Sequence, residues 1–261
     1  MFLFFGYFEF SKSKQNLNTT STVEQVEPKP TAKSLRNPEV VLTSLREIIG
    51  AEDAIFGIEI YELETGRRYG INETQQFHAA SVGKLIVAVY CLNQVDQGKV
   101  SLDKIIDSVS LRERLRLTVN QSDNGSWESL LNFFGYAKIH AYEKSLGLAN
   151  SDVNKNTSTA ADTNSLLHKI YKGEVLKEES KNLLFKFMQN TEREERIPRG
   201  VPKGTILYHK AGTYNGETHD TGIIIHPRQP FAITIFSQAK YDTTFALQKI
   251  TKTVYDFFSG D

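Results

Sequence analysis

An unbroken apolar run, Leu85 to Leu92, restricts this chain more than any other feature. A helix needs such a run only when it is packed on every side, so this one must pass through the middle of a sizeable core. It is entered through Phe77-His78-Ala79-Ala80-Ser81-Val82-Gly83-Lys84. Ser81 and Lys84 stand three apart, which on a helix puts both on one face and brings the Lys84 amine within reach of the Ser81 hydroxyl. A hydroxyl is a weak nucleophile until a base takes its proton, and burial disfavours the charged form of lysine, which suits Lys84 to that task. Alone the pair is common, and a solvated lysine one turn after a helix-starting serine is the ordinary alternative.

The single cysteine, Cys91, lies in the same run, where a thiol behaves as a small hydrophobe. At 261 residues the chain can bury one large core or two intimately packed ones. Lysine plus arginine equal aspartate plus glutamate, 31 each, which excludes a basic face of the strength nucleic acid requires. No Cys/His cluster has metal-ligand spacing, so neither metal nor cofactor is expected.

Residues 1–10 begin Met-Phe-Leu-Phe-Phe-Gly-Tyr-Phe and are strongly apolar, but lack a positive start and a small-residue cleavage site and are too short to span a bilayer. They read as the remnant of an export signal or membrane anchor, which places the protein outside the cytoplasm; a misplaced start codon is the alternative. Residues 11–36, rich in Ser, Thr, Asn, Lys, Glu and Pro, read as a disordered linker. The folded domain is expected over 37–261.

Asn37-Pro38-Glu39 supplies an N-cap, a first-turn proline and a first-turn acid for a helix ending at Gly50. Ala54–Leu63 and Arg67–Ile71 flank Glu64-Thr65-Gly66 as a β-hairpin. After the central helix, Ser101–Ile106 reads as a polar turn opening a short helix. Further helices are expected over Arg112–Asn120, Trp127–Phe134, Ile139–Ser145, Thr159–Lys172 and Lys177–Gln189. Thr205–Ala211, Asp220–Ile225 and Phe231–Ser237 read as strands, with turns at Gly212–Gly216 and Pro227–Pro230, before an amphipathic helix over Asp242–Phe258. This order predicts an α+β fold: one antiparallel sheet built from both ends of the chain (37–80 and 203–261), flanked by the terminal helices, with an all-α lobe (81–202) inserted and a cleft between the lobes.

Three short motifs converge on that cleft. Ser81 and Lys84 are the first. Ser122-Asp123-Asn124 is the second, with a hydroxyl able to relay a proton and an amide able to hold a carbonyl. The third is Lys210-Ala211-Gly212, where a cation can hold a carboxylate and a glycine lets an extended ligand lie against a strand edge.

In their order and surroundings these motifs resemble the penicillin-recognising serine enzymes, among them the class A β-lactamases, whose motifs are Ser-x-x-Lys, Ser-Asp-Asn and Lys-Thr-Gly. The resemblance covers roughly residues 37–260. It implies an acyl-enzyme on Ser81 formed with β-lactams or D-alanyl peptides, with Lys84 as base and Ser122 as proton shuttle to the leaving nitrogen. Asn124 would orient the substrate amide, Lys210 would hold its carboxylate, and the N–H groups of Ser81 and Thr213 would form the oxyanion hole. A monomer is expected.

Two departures matter. Ala211 stands where the family has a hydroxyl, and Thr213 is the available substitute. Between Leu148 and Thr157 the family's longer loop, with its water-positioning glutamate and asparagine, is replaced by Ala149–Asn156, in which Asp152 is the one carboxylate. Slow deacylation follows as an expectation. A D,D-carboxypeptidase or esterase-like penicillin-binding protein is the neighbouring alternative, and a non-catalytic binding module that kept the fold is the distant one. Of the remaining residues, His78 lacks the partner and turn of a Ser-His-Asp triad, and His219-Asp220 reads as a structural pair at a sheet edge. Arg193–Arg199 reads as a solvated charge run, and Trp127, Phe133 and Phe134 as core of the helical lobe.

Overall fold

The computed structural model describes residues 36–260, so the apolar segment 1–10 and the linker over 11–36, Arg36 excepted, lie outside the described residues. Asn37 caps α1 (Pro38–Gly50) by accepting a bond from Glu39 N at 3.1 Å. β1 (Ala54–Glu62) and β2 (Arg68–Ile71) form the expected hairpin. The two-residue β3 (Phe77–His78) leads to a 3-10 turn, Ala80–Gly83, and the turn into α2 (Lys84–Asp96). Ser81 therefore sits on a 3-10 turn and not within the α-helix.

No helix forms at Ser101–Ile106. Instead β4 (Ile105–Ile106) and β5 (Val109–Ser110) pair across Asp107 and Ser108, both in the left-handed region at φ 45° and 67°, which closes a two-residue hairpin. α3 (Leu111–Asn120), α4 (Asn124–Phe134) and α5 (Tyr136–Ser145) follow. After the short β6 (Thr157–Ser158), Thr159 Oγ1 caps α6 (Ala160–Tyr171) by accepting from Asp162 N, and α7 (Glu178–Phe187) ends the helical stretch.

β7 (Leu207–Tyr214), β8 (Glu217–Ile224) and β9 (Phe231–Ala239) precede α8 (Thr244–Ser259). The turn expected at Gly212–Gly216 is shorter: β7 runs through Gly212 to Tyr214, and Asn215-Gly216, at φ 44° and 85°, makes the whole connection. The sheet is antiparallel in the order β2-β1-β9-β8-β7, which joins both ends of the chain as the sequence predicts.

Strand alternation gives each sheet face its partner. Phe56, Ile58 and Ile60 on β1 and Phe231, Ile233 and Ile235 on β9 pack with Val41 and Leu45 of α1 and with Leu247, Ile250 and Val254 of α8. The opposite face carries Glu59, Thr234 and Thr221, and is met by α6, whose Asn164 Nδ2 donates to Glu59 O at 2.8 Å while its Oδ1 accepts from Thr234 Oγ1 at 2.7 Å. Beyond α6 lies the helical lobe, with Leu85 to Leu92 buried throughout at its centre. Phe134 is buried there but its neighbour Phe133 is exposed, since successive helix positions point ~100° apart. β8 is interior and not an edge, and His219 and Asp220, both fully buried, point to opposite faces and do not pair. Cys91 is fully buried, and burial pushes its thiol pKa well up.

Candidate active site

The 3-10 turn that carries Ser81 lies directly against β7. A Cβ on Gly212 would stand 2.9 Å from Ser81 N and 3.1 Å from Val82 N, so only glycine permits this approach. β7 is an edge strand, and His209 N–H donates away from the sheet to Met188 O at 2.9 Å. Amides alternate along a strand, so Thr213 N–H faces the same free edge. Ser81 N–H has no acceptor among the described residues. Two unspent amides thus face the cleft from the turn and the strand, as an oxyanion hole requires.

Lys84, 2% exposed, points its Nζ at the Ser122 carbonyl and at Asn124 Oδ1, the latter at 2.7 Å. No hydrogen bond to Ser81 Oγ is formed among the described residues, so the amine serves the second motif first. Burial lowers the Lys84 pKa to about 8, with Asp123 and Glu192 pulling the other way. Ser122 is held at φ 56° between α3 and α4, and Asp123 caps α4 by accepting from Ser126 N at 2.6 Å. From the other side Lys210, 3% exposed, donates to Ser122 Oγ at 2.7 Å and to Ala211 O at 3.1 Å. Burial, then the nearby charge of Lys84, lowers its pKa to about 7. Ser122 is thereby clamped between two desolvated amines.

Two further residues belong to this assembly, and sequence reasoning passed over both. Arg196, expected on a solvated run, is 3% exposed; Nη1 donates to Gly212 O at 2.7 Å and to His219 O at 2.8 Å, and Nη2 to Thr213 Oγ1 at 2.6 Å. The apolar Ile197-Pro198 that follows it was the available signal. Its segment is pinned by Asp220 Oδ2, which accepts from Ile197 N, and by His209, buried between Asp220 and Glu194 at 3.1 Å from each. Burial opposes the His209 charge, but the two carboxylates prevail and raise its pKa to about 9. Asn156 is the other: Nδ2 donates to Ala80 O at 3.0 Å and its carbonyl accepts from Ala79 N at 2.7 Å, bracing the Ser81 turn from the short loop.

Asp152 is spent on its own loop. Its Oδ1 accepts from Asn154 N at 2.9 Å, and His140 lies 3.6 Å away, so the carboxylate stabilises its own loop. His78 has no aspartate partner; its Nδ1 accepts from Ala80 N.

An antiparallel sheet flanked by terminal helices, a separate helical lobe and a serine turn between them define the β-lactamase and penicillin-binding-protein superfamily of serine hydrolases. A family model described as the beta-lactamase enzyme family matches residues 41–258, and the chain belongs to that family. It is 25% identical to the extended-spectrum beta-lactamase PER-1 of Pseudomonas aeruginosa, over 92% of this chain and 94% of that protein. Among solved structures it is similar to a beta-lactamase from Chitinophaga pinensis, with TM-score 0.77 and 26% identity over 84% of this chain and 99% of the other. PBP-A shares the fold, with TM-score 0.82 at 21% identity over 88% and 99%.

Proposed function

We propose that the protein is a serine acyl-transferring hydrolase in which β-lactams or D-alanyl peptides acylate Ser81 and leave it slowly. The observation that carries the reading is the clamp of Lys84 and Lys210 on Ser122 beside the Ser81 turn. A neutral amine has two N–H bonds and one lone pair; Ser122 O and Asn124 Oδ1 take both N–H bonds of Lys84, which leaves the lone pair for the Ser81 proton. Ser81 Oγ attacks the carbonyl, and the oxyanion forms between Ser81 N–H and Thr213 N–H. The C–N bond then breaks, the leaving nitrogen takes the Ser122 hydroxyl proton, and the proton on Lys84 replaces it.

Asn124 Nδ2 remains available for the substrate amide. Thr213 Oγ1 accepts from Arg196, so its own O–H is free to donate to the substrate carboxylate beside Lys210, which supplies the hydroxyl that Ala211 lacks. Among the described residues no helix is long and apolar enough to cross a membrane; export rests on residues 1–10.

Asp152, the one carboxylate of the Ala149–Asn156 loop, is engaged by the Asn154 and Lys155 amides, and the loss of a general base for water typically costs ~10² to 10⁴ in rate. That favours a penicillin-binding peptidase over an efficient β-lactamase. PBP-A, in a variant form, is an acyl-enzyme complex with penicillin G. A pure binding module would have no use for two amines held against their solvation. Intact-protein mass spectrometry after mixing with benzylpenicillin tests the reading: a drug adduct that persists for many minutes in wild type and is absent in Ser81→Ala is expected. Rapid turnover without a persistent adduct would overturn slow release, and no adduct would overturn the acyl-enzyme for these ligands.

A further inference from the structure

Ala80, immediately before Ser81, carries a Cβ yet sits at φ 48°, in the left-handed region that side chains disfavour. Ala79, at the head of the turn, has no side chain to cap it. The cap comes from His78, whose Nδ1 accepts from Ala80 N at 3.2 Å. This bond spans two residues, as the side-chain bond of an Asx turn does. An accepting Nδ1 carries no proton, which places the ring proton on Nε2.

The residue is held on several sides. Its ring stacks on Tyr214 with centroids 3.9 Å apart, and its carbonyl accepts from His219 Nε2 at 2.9 Å. His219 Nδ1 accepts from Ser237 N, so its Nε2 is the donor. Glu217 Oε2, buried and without a hydrogen-bond partner, lies 3.7 Å from His78 Nδ1. The titratable groups facing the ring are thus Glu217 and His219 on β8 and Tyr214 on β7, while β6 brings the uncharged Thr157 and Ser158.

We propose that His78 is a positioning residue for the nucleophile: its Nδ1 holds the Ala80 amide and so fixes the left-handed turn that directs Ser81 Oγ and Ser81 N–H into the cleft. This rests on the reading of Ser81 as nucleophile. His78 itself touches no reacting atom. Protonation turns Nδ1 from acceptor into donor; it then turns to Glu217 and releases Ala80. Burial, reinforced by His219 and opposed by Glu217, lowers the His78 pKa, so the accepting form holds at neutral pH and is lost on the acid side.

The test uses the full chain and three proteins: wild type, His78→Ala and His78→Asn, the last able to accept from Ala80 N without titrating. By NMR, Ala80 amide protection is expected to fall roughly fivefold or more in His78→Ala, and in wild type on acidification, but to survive both in His78→Asn. Labelling by fluorescent penicillin at pH 7 should slow by about 10- to 100-fold in His78→Ala. His78→Asn should recover most of that rate and lose the acid-side step of the wild-type profile. Equal Ala80 protection in wild type and His78→Ala, or the same acid step in His78→Asn, overturns the inference. A wild type that takes no label overturns the Ser81 reading instead, and Ala80 protection still decides the role of His78.

Discussion

Ser122 accepts a bond from one buried amine through its hydroxyl and from another through its carbonyl, and the two amines feel each other's charge. Such a pair loses its protons in two coupled steps, here near 7 and 8, and the single proton left between them sits mostly on Lys84, whose pKa is the higher; the productive form of the proposed mechanism, Lys84 neutral and Lys210 charged, is the lesser of the two single-proton forms. The second-order rate of penicillin labelling is therefore expected to follow a bell with its maximum between about 7 and 8, rising as the pair loses its first proton and falling as it loses its second. Lys210→Met should remove the alkaline limb and cut the rate by ~10² or more; a flat profile in wild type would contradict the assignment. That Lys84, Ser122, Asn124 and Lys210 come together beside Ser81 could be expected, because each lies in a short motif with its own chemistry. Arg196 and Asn156 were not legible, because a charged run and a polar loop look alike whether they face water or fold back onto a backbone. Burial is decided by residues far away in sequence, here Gly212, His219 and Ala80.

At the scale of elements, β7 and the Ser81 turn are fitted to each other at one residue. Gly212→Ala would drive a methyl group against the Ser81 and Val82 amides, whose atoms are backbone and cannot rotate away. The turn must retreat, and labelling should fall by about 10²-fold. Overpacking of this kind costs about 1–3 kcal/mol, so the variant should remain folded with a thermal midpoint lowered by several degrees. Unchanged labelling would mean that Gly212 does not set the approach. Most elements could be read from their periodicity and caps, including the hairpin of β1 and β2 and the helices α1 and α6. The misses share a cause. Asp107-Ser108 and Asn215-Gly216 each close a hairpin in two left-handed residues, and polar pairs of this kind also begin helices or populate longer loops. The long α2 could be recognised, but its first turn could not, since the left-handed Ala80 depends on side chains that meet only in the folded protein.

For the molecule as a whole, the seam between sheet and helices holds a buried carboxylate. Glu59 accepts from Arg68 at 2.9 Å, Arg68 also donates to Ala161 O on α6, and Glu59 Oε2 has no hydrogen-bond partner among the described residues. Burial dominates and raises its pKa to about 7. A carboxyl raised in the folded state lends stability that is complete below its unfolded value, 4.5, and lost as pH climbs through about 7. That amounts to about 3 kcal/mol at most across the interval. Glu59→Gln, which keeps an acceptor for Arg68 and carries no charge, should show little of this loss between pH 5 and 8 in thermal unfolding, whereas wild type should lose several degrees. Equal slopes would remove Glu59 from the account. The α+β class was legible from the order of elements, because strands at both ends of a chain with helices between them can share a sheet in few ways. That arrangement also sets when the protein can take shape. β1 pairs at once with β2, but its other partner β9 lies between 169 and 185 residues further along, so that side of the hairpin stays unpaired until β9 has been made. Contacts of such long sequence separation slow folding. Synthesis can therefore run through the whole helical stretch with the β1–β2 hairpin open on one side, until β9 and α8 arrive to complete the core with β1 and α1.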